Sequence, residues 1–134
     1  MEIELSKLIF QVRKDLSDLP EEYTGDSLVY QSLRQSFSLI KQLSTIEEHD
    51  VEFVEHCIVT LATYYTYLNY TSLAETMHGS IPATAEIKLQ RLFDRAYAFI
   101  TKITDVEIDR DFEPDMDKFR IIPVSLGMSR IRRP

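Results

Sequence analysis

Three histidines and one cysteine are the side chains of this 134-residue chain whose types and neighbours could do chemistry. Zinc sites on helices present two imidazoles one turn apart through a His-Glu-x-x-His pair, and neither His49, His56 nor His78 belongs to one. No metal site is predicted. His49 and His78 read as solvated residues near loops, and His56, four residues after Glu52, as one half of a local ion pair or hydrogen bond. Cys57 sits among apolar positions, where a thiol has a raised pKa and packs as a small hydrophobe. Adjacent helix residues point about 100° apart, so Cys57 and His56 do not form a nucleophile and its base.

Carboxylates offer a second chemistry. All-helical nucleotide pyrophosphatases gather magnesium with Glu-x-x-Glu on one helix and Glu-x-x-Asp on the next; Glu52 and Glu55 supply the first half. The second half is missing, because Glu75 is followed three positions later by His78 and Glu86 by Leu89. Hard cations need several converging oxygens, so this enzyme stays an alternative, and no catalytic residue, metal or cofactor is assigned. Residues 105–117 carry seven acids and one base but lack the pattern and glycine of a calcium-binding loop, and they read as a solvated linker.

Binding residues are easier to find. Tyr64, Tyr65, Tyr67 and Tyr70 make the densest aromatic patch, and on a helix their rings point in several directions. With no basic residues between them, stacking on nucleobases is disfavoured, and packing against another subunit is the expectation, since tyrosine suits surfaces that are buried at the ring and wet at the hydroxyl. The end of the chain is both basic and apolar: Phe119, Arg120, Ile121, Ile122, Val124, Leu126, Met128, Arg130, Ile131, Arg132 and Arg133. A disordered solubilising end, a contact with nucleic acid or anionic lipid, and an extended arm that threads into a partner are the three readings. The arm is favoured, because a purely solvated tail has little use for so many apolar residues.

The elements that must position these residues follow from periodicity and breakers. Leu5, Leu8, Ile9, Val12 and Leu16 make one stripe of a helix over 2–17. Leu19-Pro20 and Gly25 interrupt it. Asp26 or Ser27 is placed to cap a second helix with Leu33, Phe37, Ile40 and Leu43 on its stripe, ending near Ser44. After a short polar connection, Asp50 is placed to cap the third and longest helix, which carries Phe53, Val54, Cys57, Ile58, Leu61, Ala62, Tyr65 and Leu68 and meets no breaker until Gly79. Pro82 opens a fourth. Its apolar positions Ile87, Leu89, Leu92, Phe93, Ala96, Tyr97, Phe99, Ile100 and Ile103 cover more than one stripe, which predicts a central helix packed against its own domain and a neighbouring subunit. The fold expected is all-α: a four-helix bundle-like body, 1–104, then an acidic linker and extended C-terminal arm, 105–134.

Composition excludes whole classes. The net charge is −7, so the molecule as a whole repels phosphate backbones and is not a general nucleic-acid binder. Three glycines leave no phosphate-cradling loop, and one cysteine allows neither an internal disulfide nor a multi-cysteine zinc site. No apolar run approaches the ~20 residues of a membrane span, and the acidic start is unlike a signal peptide; a soluble, unprocessed protein is the expectation, with no membrane partner. The charge is divided along the chain. Residues 1–104 sum to −6, residues 105–117 to −6, and residues 118–134, with five bases and no acid, to +5.

This order of features resembles the head-tail connector proteins of tailed bacteriophages, also called adaptor or head-completion proteins. The residues that carry the likeness are the capped helix from Asp26-Ser27 to Leu43, the long helix with its Ala-Thr-Tyr-Tyr-x-Tyr-Leu-Asn-Tyr end from Ala62 to Tyr70, the Pro-initiated helix from Pro82, and the extended C-terminal end. The clear first helix and the dense acidic stretch are not marks of that group. The resemblance implies a virion protein without enzymatic activity, forming a homo-oligomeric ring of twelve subunits under the portal protein at the neck of the particle. It implies docking of the C-terminal arm on the portal, a stopper or tail-completion protein on the other side, and a channel through which DNA passes without specific binding. An acidic bore would suit that passage. A small helical homodimeric regulatory protein is the other structural alternative.

Overall fold

Leu8, Val12 and Leu16 bury one side of the first helical segment, a 3-10 turn at Leu5–Leu8 that runs into α1, Ile9–Lys14. A computed structural model describes residues 2–104; Met1, the acidic linker and the arm from Phe119 to Arg133 lie outside the described residues. α1 is shorter than the predicted 2–17 because the backbone tightens after Lys14: the Leu16 N–H donates to Arg13 and the Leu19 N–H to Leu16, each at 3.0 Å. A 3-10 turn, Glu21–Tyr23, follows Pro20, and a third, Ile46–Glu48, lies between the next two helices.

α2 spans Asp26–Leu43, α3 Val51–His78 and α4 Ala83–Ile103. The described chain is all-α and contains no strand, as the sequence predicts. Helix stops fall where expected. Gly79 adopts φ +83°, the left-handed conformation that an L side chain resists, and its N–H donates to the Glu75 carbonyl at 2.8 Å. The starts are different. Gly25, one residue earlier than expected, is the N-cap of α2, and Asp26 instead pairs with Arg13 of α1. Asp50 holds the N-cap position of α3 but makes no side-chain capping bond.

α3, not α4, is the central helix, which corrects the expectation from apolar count. It packs along α2 on one side and α4 on the other, with α1 touching both α2 and α3, while α2 and α4 scarcely meet. From Cys57 to Tyr67 every residue but Val59 is buried. α4 by contrast buries Leu92, Phe93, Ala96, Ile100 and Ile103 on one stripe and leaves Ile87 66% exposed.

A helix enclosed on all sides must satisfy its polar groups internally. Thr60, Thr63, Thr66 and Thr71 each donate back to a carbonyl of α3 at 2.7–3.0 Å, and Thr66 Oγ1, its own proton used there, accepts from Ser32 Oγ of α2 at 2.9 Å. Ser36 is likewise fully buried and donates to the Ser32 carbonyl. Small hydroxylated residues thus line part of the α2–α3 contact. At the other end of the body, Thr104 Oγ1 donates to the Leu43 carbonyl at 2.9 Å, tying the exit of α4 to the exit of α2.

Replacing Gly79 by Ala meets no steric obstacle, since nothing lies within 4 Å of an added Cβ, so its effect isolates the backbone. Gly79→Ala is expected to lower stability by about 1 kcal/mol, read as a shift of the urea midpoint with unchanged slope.

Candidate functional site

The tyrosine patch belongs to the core of the chain itself. Tyr64, Tyr65 and Tyr67 are buried to within 3% of their surface, and Tyr70 is half-buried. Tyr64 packs on Phe93 of α4 with ring centroids 5.5 Å apart and on Tyr65 at 5.9 Å, while Tyr70 meets Tyr67 at 5.8 Å and, edge-on, Tyr23 at 5.0 Å. The expected subunit interface at Tyr64, Tyr65 and Tyr67 is therefore corrected: the rings do point in several directions, but this chain has an element waiting in each. A sequence signal existed. Residues 57–74 include no charged side chain, which marks a helix covered all round.

The chemical candidates disperse. His56 is exposed and lies against Phe99, with ring centroids 4.9 Å apart, and no ion pair joins it to Glu52 among the described residues. His49 rests near Phe53 at 5.7 Å, and Phe53 in turn near Phe99 at 6.3 Å. The face of α4 opposite the start of α3 is thus aromatic, not acidic. Among the described residues no three His, Cys, Asp or Glu side chains gather as a metal ion would need. Cys57 is fully buried, its thiol 3.8 Å from the Phe99 carbonyl, and burial pushes its pKa up to about 12 despite the opposing charge of Lys102.

Polar side chains do converge where α4 meets the segment after α1. Lys88 donates to Asp18 Oδ1 at 2.6 Å and to the Asp15 carbonyl at 2.7 Å, and its ammonium lies 5.2 Å from the centre of the Tyr67 ring. Arg95 reaches Asp15 Oδ2 at 2.8 Å. On the other side of α1, Arg13 donates to the Thr24 carbonyl at 2.7 Å and to the Asp26 carboxylate. These contacts fasten a loop that has few apolar anchors of its own. Burial, and secondarily the Asp18 carboxylate, raises the pKa of Tyr67. The cluster is a structural clamp, which the sequence could not signal because its partners are some seventy to eighty positions apart.

An open groove lies at the turn between α3 and α4. Leu68, Ile81, Leu89 and Phe93 supply its apolar walls, Glu75 and Glu86 its acidic ones, and its volume is about 350 Å³. Neither glutamate forms an ion pair among the described residues. The sequence reading assigned no role to this place. The predicted arm, Phe119 to Arg133, lies outside the described residues. No helix among the described residues is long and apolar enough to cross a membrane. Comparison of the chain with protein-family models, with curated proteins and with solved structures finds no match.

Three outcomes are expected. Cys57 should resist thiol reagents in the native protein and react only as fast as the chain unfolds. Because its folded pKa of about 12 exceeds the 9.0 of a free thiol, the stability it supports is intact below pH 9 and is lost as pH climbs from there towards 12; urea titrations across that range read the decline. Lys88→Met should cost roughly 1 kcal/mol, and less in high salt, because it removes an ion pair and a backbone acceptor's partner together.

Proposed function

We propose that the chain is a non-enzymatic head-tail adaptor of a tailed bacteriophage. In this reading it assembles as a ring, of twelve subunits if the resemblance holds, beneath the portal in the virion neck. The ring bridges the portal to the next stopper or tail-completion protein and surrounds the DNA channel. The observation that carries the reading is the division of the chain into two physical objects: a helical body of net −6 and an end of net +5 rich in Ile, Leu, Met and Arg. A body that keeps its apolar residues on its own core holds position, and an apolar basic end has something to anchor.

An acidic wall fits a conduit for DNA because like charge disfavours sticking, and over a Debye length of about 8 Å the repulsion acts only near the surface. The reading assigns no reaction to Glu52, Glu55, His56 or Cys57. Ring formation needs contacts that buried Tyr64, Tyr65 and Tyr67 do not supply, and Phe10, Met77 and Ile87 are the most exposed of the large apolar side chains on the described surface.

Deleting residues 119–134 should leave the helical circular dichroism spectrum in place and abolish co-sedimentation with portal rings. Docking retained by the truncated chain would remove the arm from its assigned role. Magnesium-dependent hydrolysis of nucleoside triphosphates that disappears in Glu52→Gln with Glu55→Gln would overturn the adaptor altogether.

A further inference from the structure

The outward side of α2 differs in charge from the rest of the body. From Ser27 to Ile46 the chain carries two bases and no acid, although residues 1–104 sum to −6. Tyr30, Arg34, Phe37 and Lys41 follow one another at spacings of four, three and four, which puts them in one row along the helix. Tyr30 is 40% exposed, Arg34 and Lys41 are exposed, and Phe37 is half-buried. Neither base forms an ion pair among the described residues, and Lys41 instead holds its ammonium 4.5 Å from the centre of the Phe37 ring.

The row reads aromatic, cation, aromatic, cation, and its spacing is symmetric, so it is complementary to its own reverse. A two-fold contact demands this, since both partners present the same patch. We propose that α2 is the docking face for a second copy of this chain. The two α2 helices run antiparallel, with Arg34 of each against Phe37 of the other and Lys41 of each against Tyr30 of the other. Lys14, Arg91 and Lys102 also lack an ion pair among the described residues. They belong to no such row: Lys7, Phe10 and Lys14 on the first helical segment, reversed, set cation against cation.

Each separate copy holds one cation–aromatic contact in this row. The pair holds four, and such contacts strengthen as water is excluded around them. Two acidic bodies repel each other, and the acid-free side is where they approach at least cost. Antiparallel helices also set the positive end of one beside the negative end of the other. The row is ~17 Å long at the helical rise, so the contact belongs to the small class below ~1,200 Å² and the dimer is weak.

This goes beyond the adaptor reading and does not need it, because a closed two-fold pair is not the head-to-tail contact of a ring. Dimerisation is measured without the portal, so its failure leaves the adaptor role untouched.

Sedimentation velocity of the full chain is expected to show a monomer–dimer equilibrium in the high micromolar range that tightens as salt is raised, because salt screens body from body. Arg34→Glu with Lys41→Glu should weaken association by about tenfold or more. Lys14→Glu with Lys102→Glu, which changes the net charge equally, should leave it nearly unchanged. Register is read with a short bis-maleimide, buried Cys57 staying in place. In the antiparallel pair, Ser38 of the two copies lies ~8 Å apart along the helices and Ser27 ~26 Å apart. Ser38→Cys should therefore give a covalent dimer and Ser27→Cys should not. Circular dichroism confirms that each variant is folded. A chain that stays monomeric, or a dimer indifferent to Arg34 and Lys41, would overturn the proposal. So would cross-linking through Ser27→Cys as efficient as through Ser38→Cys, or a dimer that loosens with salt, which would assign the two cations to acids instead of rings.

Discussion

The enclosure of α3 governs the rest of the structure. A helix whose residues from Cys57 to Tyr67 are almost all hidden from water needs neighbours on every side, and burying a side chain of Leu, Ile or Tyr size contributes on the order of 2 kcal/mol each. α2 and α4 take the two broad sides, and α1 with the 3-10 turn at Glu21–Tyr23 closes what they leave open. That demand explains why a short first helix is retained at all. It also explains why four threonines can sit in or beside a core: each returns its hydroxyl to α3's own backbone, so burial leaves no donor idle.

The ion pairs have a matching logic. Apolar packing fixes α2, α3 and α4, but the turns after α1 bury little beyond Leu16 and Leu19. Lys88 and Arg95 hold that segment from α4, and Arg13 holds the start of α2 from α1. Exposed pairs contribute modestly one at a time; here they act on a loop where modest contributions decide position. Most of the acids that give the body its charge of −6 stay outside this clamp.

Much of the fold was legible. Stripes of Leu33, Ile40 and Leu43 and of Leu92, Ala96, Ile100 and Ile103 fixed two helices, and Gly79 fixed the end of a third, because periodicity and backbone restriction are local properties. What failed was non-local. Asp26 looked like a cap and became the partner of Arg13, since a carboxylate's choice between its own backbone and a distant guanidinium depends on tertiary placement. Tyr64, Tyr65 and Tyr67 looked like surplus surface because one helix was assumed to have one buried face. The groove was invisible for the same reason: Glu75 and Glu86 come together only when α3 and α4 fold into a hairpin.

The order in which the helices are made has its own consequence. Translation delivers α3 before α4, so the ribosome exposes a helix with an uncharged stretch at residues 57–74, lacking half of its cover, until Ile103 has cleared the exit tunnel. During that interval the nascent polypeptide is a natural client for chaperones that bind bare apolar helices, and synonymous codons that slow elongation through residues 83–103 would prolong the hazard without altering a single atom of the finished product.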